Sequence, residues 1–317
     1  MDPVLDFEKP IAEMEEMIQK LRKLSSEGKG DFSGQIAELE KSAREHREKV
    51  YAGLTPWQVV QIARHKDRPV LQDYIELLFT DFIELHGDRR FGDDRALIGG
   101  FGTLDGRKVM VVGHNKGKNV RENVERNFGQ AKPEGYRKAL RLFKLAEKYH
   151  LPVITFIDTS GAFPGLDAEE RGQHEAIARN LTEMARLSVP IVCVVTGEGG
   201  SGGALGIGVG DAVLMLQYSV YSVISPEGCA AILWRDGKEA PRAAEALKLT
   251  AQDLMSFGCI DQILPEPPGG AHRDYAATAA QIRQALAGRL DMLATLSTET
   301  LLARRFEKYS NMGVFAQ

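Results

Sequence analysis

A chain of 317 residues, 43% hydrophobic and 26% charged, is long enough to bury one large core or two small ones. Its net charge of −4 gives no field that would recruit nucleic acid or an anionic membrane. Three widely spaced cysteines, Cys193, Cys229 and Cys259, match neither a disulfide framework nor a Cys-rich zinc site and point to the reducing cytoplasm.

The chain opens with charged residues and no apolar core from Met1 to Lys9, so no signal peptide is expected. Over residues 7–48, Ile11, Met14, Met17, Ile18, Leu21 and Leu24 recur at three-and-four spacing on a charged background. Glycines and serines from Ser25 to Gly34 interrupt the pattern, and Ile36 and Leu39 restart it. This predicts a helical hairpin that packs on its own domain or on a partner. Thr55-Pro56-Trp57-Gln58 predicts a helix start, with Thr55 as cap and Gln58 closing a capping box.

A helix is predicted over Leu71 to Leu85. Strands are predicted at Ala96–Phe101, Val109–Val112, Val153–Ile157, Ile191–Thr196, Ala212–Leu216 and Tyr221–Ile224, where β-branched runs are bounded by turn residues. Helices are predicted at Tyr136–His150, Ala168–Leu187 and Asp274–Ala294. The alternation implies an α/β fold with helix-covered sheets. The expected domains are a hairpin over 1–50, a main domain over 51–275 and C-terminal helices over 276–317. The uncharged stretch Gly199–Gly210 is too glycine-rich, and too close to Glu198 and Asp211, to be a span of about 20 apolar residues.

Two glycine-rich turns follow predicted strands. One is Asp158-Thr159-Ser160-Gly161-Ala162-Phe163-Pro164-Gly165, the other Gly197-Glu198-Gly199-Gly200-Ser201-Gly202-Gly203-Ala204. Side by side, each can give one backbone N–H to a single oxygen, which makes an oxyanion hole. Alternatively, the glycines only permit tight turns and close packing.

Other patterns are present in form alone. Gly197-x-Gly199-x-x-Gly202 mimics a dinucleotide fingerprint, but the next helix spans at most Ala204–Gly210 and Gln217 stands where an acid is needed. Gly199-x-Ser201-x-Gly203 mimics a nucleophile elbow, for which a triad Ser201–Asp261–His272 can be drawn. Lys248 in Glu245-Ala246-Leu247-Lys248-Leu249 resembles a biotin acceptor but sits in a helix-forming run, so it is read as a helix-surface residue. His174-Glu175 lacks the second histidine of a zinc motif, and no metal site is expected. His114 is read as structural, although it ends a strand. Lys116, Lys118, Arg121, Arg126, Arg137 and Lys138 are either phosphate-binding residues or a solvated face interleaved with Glu122, Glu125 and Glu134.

Longer strings are more specific. Phe128-Gly129 and Pro133-Glu134-Gly135-Tyr136-Arg137-Lys138-Ala139-Leu140 resemble the alpha-subunit family of acetyl-coenzyme A carboxylase carboxyltransferase. So do Glu84-Leu85-His86-Gly87-Asp88-Arg89, Ala168-Glu169-Glu170-Arg171-Gly172-Gln173, the second glycine turn, Tyr221-Ser222-Val223-Ile224-Ser225-Pro226-Glu227-Gly228-Cys229-Ala230, Glu266-Pro267 and Gly269-Gly270-Ala271-His272. The likeness covers residues 70–275. It implies a crotonase-like superhelix of ββα units and transfer of CO2 from carboxybiotin to acetyl-CoA, giving malonyl-CoA for fatty acid biosynthesis. It also implies a beta subunit bearing a zinc ribbon, a biotin carboxyl carrier protein that bears the biotin, a separate biotin carboxylase, and an α2β2 assembly. Carried onto this sequence, the oxyanion donors are the N–H groups of Gly202, Gly203 or Ala204, opposed by Gly161 and Ala162. The family usually reads Asp-Thr-Pro-Gly-Ala-Tyr-Pro-Gly in the first turn. Here Ser160 and Phe163 depart from it, so a tyrosyl hydroxyl at 163 is not required, and the turn loses the φ restraint of proline.

Overall fold

The computed structural model describes residues 4–313. The ends of the expected hairpin and C-terminal segments, 1–3 and 314–317, lie outside the described residues.

Helices α1 (Lys9–Ser26) and α2 (Ser33–Ala52) form the hairpin that the periodicity predicts. Ile11 and Ile18 face inward, and Arg22 bridges to Glu40 at 2.6 Å. The hairpin packs on its own chain. The Tyr51 hydroxyl bonds Glu8 at 2.7 Å and the Gly269 carbonyl at 3.0 Å, and Arg273 reaches Glu8 at 3.4 Å. Helix α3 (Pro56–Ala63) starts with the expected capping box: Gln58 N–H donates to Thr55 Oγ1, and Thr55 N–H to Gln58 Oε1.

The predicted helix 71–85 is a helix and a strand. Helix α4 (Leu71–Leu78) ends where Phe79 turns extended, and β1 (Thr80–Glu84) follows. Pairing with β2 (Leu97–Leu104) supplies backbone partners that no local pattern reveals. Next come β3 (Arg107–His114), α5 (Val120–Glu125), α6 (Pro133–Lys148) and β4 (Val153–Thr159). The predicted helix 168–187 is split into α7 (Leu166–Glu170) and α8 (Gln173–Ala185). Gly172 between them has φ +80, a left-handed conformation that ends one helix and redirects the chain.

The rest is β5 (Ile191–Gly200), α9 (Ser201–Leu205), β6 (Ala212–Leu216), β7 (Val220–Ser222), α10 (Pro226–Trp234), α11 (Ala240–Leu247), α12 (Ala251–Ser256), β8 (Gln262–Leu264), α13 (Tyr275–Ala294) and α14 (Thr298–Ser310). The helix predicted from Asp274 begins at Tyr275, and Asp274 caps it by accepting the Ala277 N–H.

The strands form one mixed sheet in the order β1-β2-β3-β4-β5-β6-β8, with β7 pairing to β5 beyond the end of β6. β1, β2 and β3 are antiparallel, and from β3 onward every pair is parallel. Parallel strands buried on both faces read as continuous apolar runs, which is why β4, β5 and β6 were legible. Successive side chains alternate between two cores. Val153, Ile157, Cys193 and Val195 face Tyr136, Leu142 and Phe143 of α6. Ile154, Phe156, Val192 and Val194 face Tyr74 of α4 and Ile282, Leu286 and Leu290 of α13. Each large side chain buried this way stabilises the fold by about 1.5–3 kcal/mol.

Candidate active site

In a parallel sheet, ligands bind beyond the carboxyl ends of the strands. Here β3 leads into 115–119, β4 into the first glycine turn and β5 into the second. These ends border a cleft of about 420 Å³ whose lining includes Arg64, His65, Lys116, Lys118, Asp158, Ser160 and Glu198.

The fold brings the two turns into direct contact. A Cβ at Gly203 would stand 2.5 Å from Ala162 N and from Gly161 C, so only glycine allows this approach. Gly202 is different: a Cβ there would meet nothing nearer than Ile177 at 3.7 Å. Tyr136 braces the second turn, its hydroxyl donating to the Gly203 carbonyl at 3.1 Å. The Asn180 amide holds the Tyr136 and Gly206 carbonyls.

Donor availability differs along the five sequence-predicted positions. The Gly161 N–H is already taken by Thr159 Oγ1 at 3.2 Å, whereas no such internal bond holds Ala162 N–H among the described residues. Ala162 and Gly202 are partly exposed; Gly203 and Ala204 are buried, Ala204 completely. No side chain caps the first turn of α9. Ala162 and Gly202 are therefore the most accessible residues of the set.

The two departures from the family string have visible partners. The Ser160 hydroxyl accepts from Gln130 Nε2 at 3.0 Å, a restraint that stands in for the missing proline. The Phe163 ring lies under Lys132 Nζ, 4.6 Å from its centroid.

An ionic cluster lies beside the turns. Lys116 Nζ bonds Asp158 at 2.7 Å and Glu198 at 3.3 Å, and Arg64 bonds Glu198 at 2.7 Å and Glu227 at 2.5 Å. Burial works against the Lys116 charge, but the Asp158 and Glu198 carboxylates outweigh it and raise the lysine pKa. Burial would raise the Glu198 pKa, yet Lys116 and Arg64 hold it low. Below this layer Arg68 forms a bidentate pair with Glu266 and donates to the Thr196 carbonyl at 2.6 Å. Sequence reading grouped Lys116 with a basic run, missed Arg64 and Arg68, and quoted Glu266 only as part of a family string, without its partner. Their partners lie 128 to 198 residues away, so no local signal exists.

The other cations of that run are held by carboxylates. Lys118 pairs with Asp73, Arg121 with Glu125, Arg126 with Glu122, Arg137 with Asp88 and Lys138 with Asp93. His114 is buried, and neither ring nitrogen meets hydrogen-bond geometry. Burial first, then the nearby Lys116 charge, lowers its pKa to about 3.

The drawn triad does not assemble. Asp261 accepts from Val213 N–H and pairs with Lys308, while His272 stacks on His65 at 3.9 Å with neither ring nitrogen bonded. The helix expected at 204–210 instead spans Ser201 to Leu205, too short for a dinucleotide site. Lys248 is exposed, as expected, but lies just past α11 with φ +52 rather than within a helix. No cluster of three metal-ligating side chains occurs among the described residues, and no described helix is long and apolar enough to cross a membrane.

Solved structures share the fold at low sequence identity. Transcarboxylase 12S with methylmalonyl-coenzyme A bound superposes with a TM-score of 0.58 at 21% identity, over 71% of this chain and 41% of that one. The beta subunit of geranyl-CoA carboxylase from P. aeruginosa gives 0.56 at 14% identity, over 83% of this chain and 48% of that one. The chain thus spans less than half of either. These neighbours fit the crotonase-like α/β fold. Similarity in sequence is much closer. The acetyl-coenzyme A carboxylase carboxyl transferase subunit alpha of Geobacter metallireducens is 56% identical over 99% of this chain and 98% of its own length. That of Halalkalibacterium halodurans is 57% identical over 100% and 97%. The likeness therefore extends well beyond the 70–275 read from sequence strings. The profile of the acetyl co-enzyme A carboxylase carboxyltransferase-like family matches residues 4–313, and the chain belongs to that family.

Proposed function

We propose that this chain is the alpha half of a biotin-dependent carboxyltransferase that moves CO2 from carboxybiotin to acetyl-CoA, giving malonyl-CoA for fatty acid biosynthesis. The observation that carries the proposal is the backbone contact of the two glycine turns at Gly203 and Ala162. That contact supports a reading in which uncharged donors from the two loops act together, and a Cβ at Gly202 would make only ordinary contact, with Ile177 at 3.7 Å.

In this reading, the N–H groups of Ala162 and Gly202, supported by Gly161, Gly203 and Ala204, donate to the oxygen on which negative charge develops. A fixed N–H suits a neutral oxygen that becomes anionic, because it needs no reorganisation as charge builds. One such donor is worth roughly 3 kcal/mol. Biotin, presented on its carrier protein, supplies the carboxyl group and an acceptor nitrogen when bound. This chain excludes water, orients the ureido oxygen and stabilises its charge. No side-chain base is required at the turns, which agrees with a site rich in glycine and without an assembled triad.

The partners follow from the same reading: a beta subunit with a zinc ribbon that provides most of the CoA site, the biotin carboxyl carrier protein, and a separate biotin carboxylase. The assembly is α2β2 and cytoplasmic. Residues 51–275 carry the chemistry, and the described parts of the flanking segments, 4–50 and 276–313, brace it.

The test is carboxyl transfer from malonyl-CoA to biocytin, by the chain alone and mixed with its beta subunit. Activity only in the mixture is expected. An inactive, verified complex would overturn the proposal.

A further inference from the structure

Two turns that share one oxygen must be held at a fixed separation, and their glycines restrain themselves poorly. We infer that Lys116 is a positioning residue that sets this separation; the inference rests on the function proposed for the turns.

Lys116 lies two residues beyond β3, Asp158 is the next-to-last residue of β4, and Glu198 is two residues before the end of β5. The Lys116 ammonium reaches Asp158 Oδ1 at 2.7 Å and Glu198 Oε2 at 3.3 Å. The same Asp158 oxygen accepts the Glu198 N–H at 2.9 Å. One cation and one carboxylate oxygen thus join the ends of three neighbouring parallel strands. The first turn continues from Asp158 into Thr159, whose hydroxyl donates to the Gly161 carbonyl at 2.7 Å and accepts the Gly161 N–H. The second continues from Glu198 into Gly200 and α9. Displacement at the cluster therefore passes to Ala162 and Gly202 within four residues on each side.

The arrangement is specific to a cation at position 116. The Asp158 and Glu198 side chains are 9% and 11% exposed, so water screens their repulsion poorly once the lysine is removed. Glu198 keeps a second cation in Arg64, but Lys116 is the only ion-pair partner of Asp158 among the described residues. The carboxylates then move apart, and the turns move with them. Lys116 touches no reacting atom in this scheme.

The test compares Lys116→Met, Lys116→Arg and Glu198→Gln with wild type, each as the purified complex with its beta subunit. Turnover is counted per assembled complex. Hydrogen exchange is followed in peptides covering 158–163 and 197–204. The expected result for Lys116→Met is a loss of kcat on the order of 100-fold, the scale for misplacing catalytic groups by about 1 Å, with KM for malonyl-CoA within about twofold. Both turns exchange faster, and the α1–α2 hairpin does not change. Lys116→Arg, which keeps the charge, recovers part of kcat. Glu198→Gln, which retains the Lys116–Asp158 bond, loses on the order of tenfold and gives the same test should Lys116→Met fail to assemble. Wild-type kcat and exchange in both Lys116→Met and Glu198→Gln overturn the inference, as does a Lys116→Met loss that vanishes on counting only assembled complex. Faster exchange at the turns with an inactive wild-type complex supports the positioning role and overturns the proposed reaction instead.

Discussion

Opposite edges of one sheet each hold a cation paired with carboxylates, and the two are built differently. At the carboxyl edge, Lys116 makes two bonds to carboxylates, and its side chain stays 19% exposed to the cleft. At the amino edge, Arg305 of α14 is 1% exposed and uses every guanidinium donor. It forms a bidentate pair with Asp211 and bonds the Met184, Leu187 and Val189 carbonyls. Asp211 in turn accepts the Ile191 N–H at 2.7 Å, tying the start of β5 to that of β6. The amino edge is closed and saturated, as suits a stabilising joint. The carboxyl edge is left open, as a site must be. Pairing a cation with carboxylates does not by itself define its purpose; the two edges differ in exposure and in how many donors remain.

Four substitutions probe that contrast. Arg305→Leu should do the most damage, because it leaves Asp211 buried without its cation: a loss of about 3–5 kcal/mol of stability by urea unfolding, with kcat of the folded fraction nearly unchanged. A large kcat loss in the folded fraction would erase the distinction between the edges. Gly202→Val should behave oppositely. Its side chain finds space near Ile177, so the melting temperature should hold while kcat falls by about 10²–10³-fold, the cost of one blocked oxyanion donor. Gly203→Val is a poorer probe, since its Cβ would collide with the first turn and disturb the fold itself.

A pH effect ranks third. The pKa of His114 falls from 6.5 to about 3 on folding, so the unfolded chain binds its proton first. Stability from this group is complete above pH 6.5 and is lost as pH falls toward 3. His114→Phe should make unfolding free energy less sensitive to acid, by about 2 kcal/mol between neutral pH and pH 5. An unchanged acid limb would mean that the ring is charged or solvated in the native state. Ser201→Ala ranks last, with less than about twofold change in kcat, since Ser201 has neither a base nor an acid assembled beside it. Complete loss would restore a hydrolytic role.

Legibility followed the physics of each signal. β4, β5 and β6 showed as apolar runs because both faces are buried, and the capping box at Thr55–Gln58 showed because capping is local, whereas the short strand β8 gave no such run. The strand at Thr80–Glu84 did not show, since its register is set by β2, and Gly172 broke the helix predicted as continuous over 168–187. At the site, the glycine turns were visible as strings, but their contact was not. Arg64 and Arg68 stayed hidden, and Glu266 showed only as part of a string, because each pairs across more than a hundred residues. Lys116 was seen as one of many basic residues, and only the fold separates it from neighbours such as Arg121, whose side chain is 89% exposed.

The joint at Arg305 also has a temporal consequence. Asp211 is synthesised 94 residues before its partner, an interval of roughly 5–20 s at ordinary ribosomal speeds. Throughout that interval the start of β6 carries a carboxylate that burial penalises and no cation yet neutralises. The nascent sheet therefore cannot neutralise its amino edge until α14 has been made, so synthesis of that helix, rather than completion of the strands, sets when this edge can close.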